Sequence, residues 1–120
     1  MNTIIKTFAL ILFVAIATIS NNAQAQDKKK VTTEFKVLGN CEMCKERIET
    51  ALDVPGVSFA YWDKETKMLK VTYRTNKVTE EELHALVAKV GHETETNKPT
   101  KESYQKLPHC CRYVENNHTH

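Results

Sequence analysis

Between Val31 and Leu38, Val31, Thr33, Phe35 and Val37 alternate with Thr32, Glu34 and Lys36. A period of two predicts a strand with one buried face. Gly39-Asn40 interrupts it, and from there Cys44, Ile48, Ala51 and Leu52 recur at helical spacing with Lys45, Glu46, Arg47 and Glu49 opposite them. This predicts an amphipathic helix of about ten residues, stopped by Pro55-Gly56. Val57–Asp63 and Met68–Arg74 are β-rich runs joined by Lys64-Glu65-Thr66-Lys67, which predicts a hairpin. Leu69, Val71 and Tyr73 share one face of the second run; in the first, either Phe59 and Tyr61 or Ala60 and Trp62 point inward, and periodicity allows both. Thr79-x-x-Glu82 reads as a capping box opening a second helix with Leu83, Leu86, Val87 and Val90 as its buried stripe. Gly91 stands where a left-handed C-terminal residue is wanted, and His92–Thr96 is a short fourth strand. The order βαββαβ over residues 31–96 predicts an α+β domain: an antiparallel four-stranded sheet with two helices on one face.

The two ends differ from this centre. Lys6 is the only charge in Met1–Gln26, Thr7–Ile19 is a largely apolar run of 13 residues, and Ala23-Gln24-Ala25 fits a small-x-small cleavage site. Residues 1–25 therefore read as an export signal, cleaved near Ala25, and the run is too short for a bilayer span of about 20 residues. The expectation is a periplasmic protein with a charged leader over residues 26–30 and no stable membrane insertion. Residues 97–120 read as a polar linker and a C-terminal tail rich in Cys and His, with Tyr104, Leu107 and Tyr113 as its sizeable anchors.

A chain of 120 residues holds one small domain, which excludes a multidomain enzyme. Its formal charge of +2 comes from 17 basic and 15 acidic side chains scattered along the sequence. There is no concentrated basic stripe, so nucleic acid is not an expected partner.

Candidate chemistry lies in the four cysteines. Cys41-Glu42-Met43-Cys44 falls between the first strand and the first helix, where unpaired backbone N–H groups and the helix dipole favour thiolate. Two intervening residues let both sulfurs face one ion, and soft thiolates select soft cations such as Cu(I), with Zn(II) also admissible. Two ligands are too few for a structural zinc site, which takes four. The tail adds His109-Cys110-Cys111 and His118-x-His120, a composition of metal-binding tracts. Cys110 and Cys111 are candidate ligands, while disulfide formation in an oxidising compartment is the alternative. A bond between adjacent cysteines is strained, so a link from the tail to Cys41 or Cys44 is the more credible one.

Residues 31–96 resemble the heavy-metal-associated domain of copper chaperones, copper-ATPase N-terminal modules and the periplasmic mercuric-ion-binding protein. The likeness is carried by Val37 through Cys44, by Ile48-Glu49 and Ala51-Leu52, by Pro55-Gly56-Val57, by Val71-x-Tyr73 and by Gly91-His92. It implies a ferredoxin-like sandwich with one soft ion between Cys41 and Cys44. The family usually reads Gly-Met-x-Cys, whereas Gly39-Asn40 precede Cys41 here without a Met. His92 takes the place of a frequent Tyr, and the resemblance puts it beside the metal loop, as a third ligand or a hydrogen-bond partner of a thiolate. His84 is expected at or near the surface, Met43 as a packing or exposed residue, and Lys45 either solvated or near the thiolate charge.

Together these features predict an exported, non-enzymatic protein that sequesters or shuttles a soft ion to a metal-transporting ATPase or efflux component. Cu(I) is the first expectation; Hg(II), Ag(I) and Zn(II) are the others. The competing expectations are a thiol-disulfide oxidoreductase using Cys41 and Cys44, and a structural zinc module joining Cys41, Cys44, Cys110 and Cys111.

Overall fold

The computed structural model describes residues 29–114. The export-signal reading and the histidines His118 and His120 lie outside the described residues. Three strands form one antiparallel sheet in the order β1-β3-β2, with β1 at Lys30–Lys36, β2 at Val57–Trp62 and β3 at Met68–Arg74. Helix α1 (Glu42–Ala51) joins β1 to β2, and α2 (Glu80–Lys89) follows β3. In the sheet, Phe35 and Trp62 both pair with Leu69, placing three large buried side chains in one row. Ile48 of α1, Leu52 at its C-cap, and Leu83 and Val87 of α2 close over that row in a single core. This is the ferredoxin-like sandwich.

The ambiguity in β2 is resolved by packing. Trp62 is fully buried and Ala60 lies against the core, whereas Phe59 and Tyr61 remain about half exposed, at 49% and 47%. The hairpin that follows is held by the Asp63 carboxylate, which accepts the backbone N–H of Glu65 (2.8 Å) and Thr66 (2.9 Å). The capping box of α2 forms as predicted: Glu82 N–H donates to Thr79 Oγ1 and Thr79 N–H to the Glu82 carboxylate.

Three expectations need correction. The buried face of α2 consists of Leu83, His84, Val87 and Ala88, while Leu86 and Val90 are only half buried. His84 is inside because its ring stacks on Phe35 at 3.8 Å between centroids and its Nδ1 bonds Thr94 Oγ1 at 2.6 Å.

The fourth strand at His92–Thr96 is reduced to one antiparallel bridge between Val37 and Thr94, beside a hydrogen bond from Leu38 N–H to the Glu93 carbonyl. Its own donors are diverted: Glu93 N–H goes to the Tyr113 hydroxyl, and Thr94 N–H to the Asn97 carbonyl.

Nor is the segment after residue 97 a loose linker. Thr100 caps a short helix α3 (Lys101–Gln105), and a 3-10 turn at His109–Cys111 follows. Leu107, Cys111 and Tyr113 enter the main core. Gly91 permits this docking. It has φ +102°, and a Cβ there would stand 2.8 Å from the Ser103 carbonyl oxygen and 2.9 Å from Leu107 Cδ2. Tyr113 completes the clasp, its hydroxyl donating to the Gly91 carbonyl (3.0 Å) and accepting from Glu93 N–H (3.1 Å).

Among the described residues no helix is long and apolar enough to cross a membrane.

Candidate metal centre

The loop that presents the first cysteines rests on an indole. Trp62 Nε1 donates to the Val37 carbonyl (3.1 Å), and its ring lies so close to Gly39 that a Cβ there would be 3.0 Å from two ring carbons and 3.1 Å from Cys44 Cβ. A side chain at position 39 would crowd the indole and Cys44, which would have to give by a few tenths of an ångström to admit it. Trp62 thus supplies an apolar support beneath a loop that lacks the family's Met. Cys41 is the N-cap of α1, in extended conformation, and its side chain makes no capping bond. Its sulfur is therefore free to turn toward Cys44, one helical turn on, at an Sγ–Sγ distance of 3.2 Å.

A third sulfur arrives from the far end of the chain. Cys111 Sγ lies 3.3 Å from Cys41 Sγ, and the sulfurs of Cys41, Cys44 and Cys111 all fall within 4.8 Å of one another. All four cysteines are free thiols. Cys44 and Cys111 are buried, and Cys41 is half buried, which leaves one sulfur of the three within reach of solvent.

The thiols differ in acidity. Burial raises Cys44 and pushes Cys111 strongly upward, the latter despite the Arg47 guanidinium beside it. Burial also opposes ionisation of Cys41, but hydrogen bonds from the Cys44 and Cys111 sulfurs outweigh it and hold Cys41 below the usual thiol value. Cys41 is thus the sulfur that ionises first.

An all-sulfur donor set favours soft cations over hard ones. With metal–sulfur bonds of about 2.3 Å, a trigonal cage has sulfur–sulfur edges of roughly 4 Å. The Cys41–Cys44 and Cys41–Cys111 spacings need to open by less than about 1 Å, within what side-chain torsions allow.

The other candidates are placed elsewhere. Cys110 is exposed, 3.9 Å from Cys111 Sγ but turned toward Met43 Sδ at 3.5 Å, and it is not one of the three clustered donors. The four-thiolate zinc arrangement is therefore not assembled. Met43 is half exposed and faces Cys110.

His92 is fully buried, yet it does not join the donor group. Its Nδ1–H donates to the Leu38 carbonyl (2.8 Å), its ring stacks against Tyr113, and its Nε2 is buried with no hydrogen-bond partner among the described residues. Burial, reinforced by the Arg47 charge, lowers this imidazole to about 4 even though the Leu38 carbonyl favours the proton. It is a neutral core histidine that braces the loop. His84 is committed to Phe35 and Thr94. Lys45 pairs with Glu49 and sits 3.9 Å over the Tyr61 ring, so its charge is directed toward β2.

Two contributors were not anticipated from the sequence, Arg47 beside Cys111 and the Trp62 support. The available signal for Arg47 was its spacing, three residues after Cys44 and one turn further along α1.

Neither protein-family models nor curated proteins give a match to the sequence. Solved structures do. The CopZ metallochaperone superposes with a TM-score of 0.52 at 26% identity, covering 53% of this chain and 98% of that one. Oxidized MerP from Ralstonia metallidurans CH34 matches with a TM-score of 0.52 at 26% identity over 55% and 94% of the two chains. The N-terminal domain of a potential copper-translocating P-type ATPase from Bacillus subtilis, solved in its Cu(I)-loaded state, matches with a TM-score of 0.52 at 27% identity over 54% and 84%. These neighbours are heavy-metal-associated domains of copper chaperones and MerP, and the Cys-x-x-Cys group between β1 and α1 is consistent with that family.

Proposed function

We propose that this protein is an exported, non-enzymatic carrier of a soft metal ion, Cu(I) foremost. It captures the ion with Cys41 and Cys44 and hands it by ligand exchange to a metal-transporting ATPase or efflux component. The observation that carries this reading is the pairing of the two sulfurs at 3.2 Å on the first turn of α1, one half exposed and the other buried. The half-exposed sulfur receives and releases the cargo while the buried one holds it. Likeness to a metallochaperone, to MerP and to a copper-translocating ATPase domain supports the metal class and the kind of partner. Hg(II), Ag(I) and Zn(II) are the secondary candidates for cargo, and the apolar segment at residues 7–19 followed by Ala23-Gln24-Ala25 supports export.

Anaerobic titration of the reduced protein with Cu(I) against a chromophoric chelator tests the assignment. One tight equivalent is expected for the protein and none for the double variant Cys41→Ser/Cys44→Ser; equal affinity in both overturns it. A lowered Cys41 beside a raised Cys44 also suits thiol-disulfide exchange. Insulin reduction in the presence of dithiothreitol separates the two readings, because a carrier gives no turnover above the uncatalysed rate.

A further inference from the structure

Most heavy-metal capture by two cysteines would need nothing beyond α1 and its preceding loop, yet the C-terminal segment brings another thiol to the same point. Cys111 is not merely a small apolar filler. A buried cysteine serving only as packing would lie among carbon atoms, whereas Cys111 Sγ stands 3.3 Å from the sulfur of Cys41.

Its position is fixed from both sides. Leu107, four residues before it, packs against Gly91, and Tyr113, two residues after it, is bonded to Gly91 and Glu93. Between them the 3-10 turn, closed by Cys111 N–H to the Pro108 carbonyl at 2.8 Å, turns Cys111 inward and leaves Cys110 in solvent.

The electrostatics agree with the geometry. Three thiolates around a monovalent cation leave an excess of negative charge, costly in a buried place unless a cation stands by. Arg47 lies beside Cys111, and its Nη1 is buried without a hydrogen-bond partner among the described residues. An unsatisfied buried guanidinium nitrogen next to a neutral thiol is a costly arrangement; next to a metal-bound thiolate it becomes a charge-assisted one.

We propose that Cys111 is the third sulfur donor of the site, so that the soft cation is held by Cys41, Cys44 and Cys111 in a three-sulfur cage closed by the docked C-terminal segment. This rests on the carrier reading above and specifies its coordination. On binding, each thiol that becomes a ligand releases its proton to solvent and no electron is transferred.

X-ray absorption of the reduced, anaerobic protein loaded with one equivalent of Cu(I) reads the coordination number directly. Three sulfur neighbours are expected in the unmodified protein and two in Cys111→Ala and Cys111→Ser. Chelator competition should show an affinity loss of at least about tenfold in both variants, the lower bound for disturbing the surroundings of a metal ligand. Cys110→Ala is expected to keep three sulfurs and its affinity within about twofold. Two sulfurs in the unmodified protein, or unchanged affinity in folded Cys111 variants, overturns the third ligand and leaves the two-cysteine carrier standing. Absence of any Cu–S scattering in the unmodified protein overturns the carrier itself. Because the unmodified protein supplies the deciding spectrum, the outcome does not depend on the variants folding, which circular dichroism checks.

Discussion

Replacing Tyr113 by Phe removes one oxygen and tests whether the C-terminal segment is an integral part of the domain. The ring, and with it the stacking on His92 and the edge contact with Tyr104 at 5.2 Å, is retained. What disappears is a hydroxyl that donates to the Gly91 carbonyl and accepts from Glu93 N–H. Gly91 is buried and Glu93 half buried, so neither group is simply returned to bulk water. Leaving such groups without a partner costs about 1–3 kcal/mol. The lower half of that range applies here, because water reaches the Glu93 side and a buried Phe is less costly to desolvate than a Tyr. A domain of this size loses about 4–8 °C of melting temperature per kcal/mol, so a drop of at least about 4 °C is expected. Thermal melting followed by far-UV circular dichroism on the metal-free, reduced protein measures it. A transition within about 1 °C of the parent, far below one lost hydrogen bond, would mean that the hydroxyl is solvated and the segment undocked, against the structure.

Other consequences can be checked separately. Gly91→Ala forces a Cβ onto a backbone at φ +102° and against the Ser103 carbonyl and Leu107, so it should cost at least about 1–2 kcal/mol; a chemical-denaturation midpoint equal to the parent's would contradict that packing. The Asp63 carboxyl is held below its ordinary value by the Thr66 and Glu65 N–H groups, so its contribution is present above about pH 4, the unfolded value, and fades as pH falls through the folded one. Asp63→Asn should therefore flatten the acid limb of a stability–pH profile and lower stability at neutral pH; parallel profiles would refute the assignment. Diamide is expected to close a disulfide from Cys41 to Cys44 or Cys111, its neighbours at 3.2 and 3.3 Å, with the two thiol hydrogens passing to the oxidant. Peptide mapping should find that link and Cu(I) binding should fall until dithiothreitol is added; oxidation confined to Cys110 would count against the sulfur cluster.

Local chemistry made much of the fold readable. The capping box at Thr79 and Glu82 and the chain reversal at Gly91 each express a short-range rule and are found in place, and the alternation in Val31–Val37 holds at its Phe35–Val37 end, whereas Val31 is exposed at the sheet margin. Packing decides where the local pattern does not. In β2 the register could not be chosen until Trp62 met Val37 and Gly39, and in α2 the stripe shifts because His84 finds partners in Phe35 and Thr94 that Leu86 could not use.

The site divides in the same way. Cys41 and Cys44 are neighbours on one turn, so their convergence follows from helical spacing. That Cys111 and not Cys110 joins them depends on a contact across 70 residues, set by how Leu107 and Tyr113 seat the segment. In the sequence Arg47 belongs to the polar face of α1 with Lys45, Glu46 and Glu49; beside the docked Cys111 its Nη1 is buried.

The 3-10 turn also acts as a ruler. Successive residues in it are rotated by about a third of a circle, so of two identical neighbours, Cys110 and Cys111, one looks in and the other out. Removing or adding one residue after Leu107 would exchange which sulfur faces the interior, or strand both outside, with composition almost unchanged. The length of chain between anchor and thiol is therefore as much a determinant of this domain's chemistry as the thiol itself.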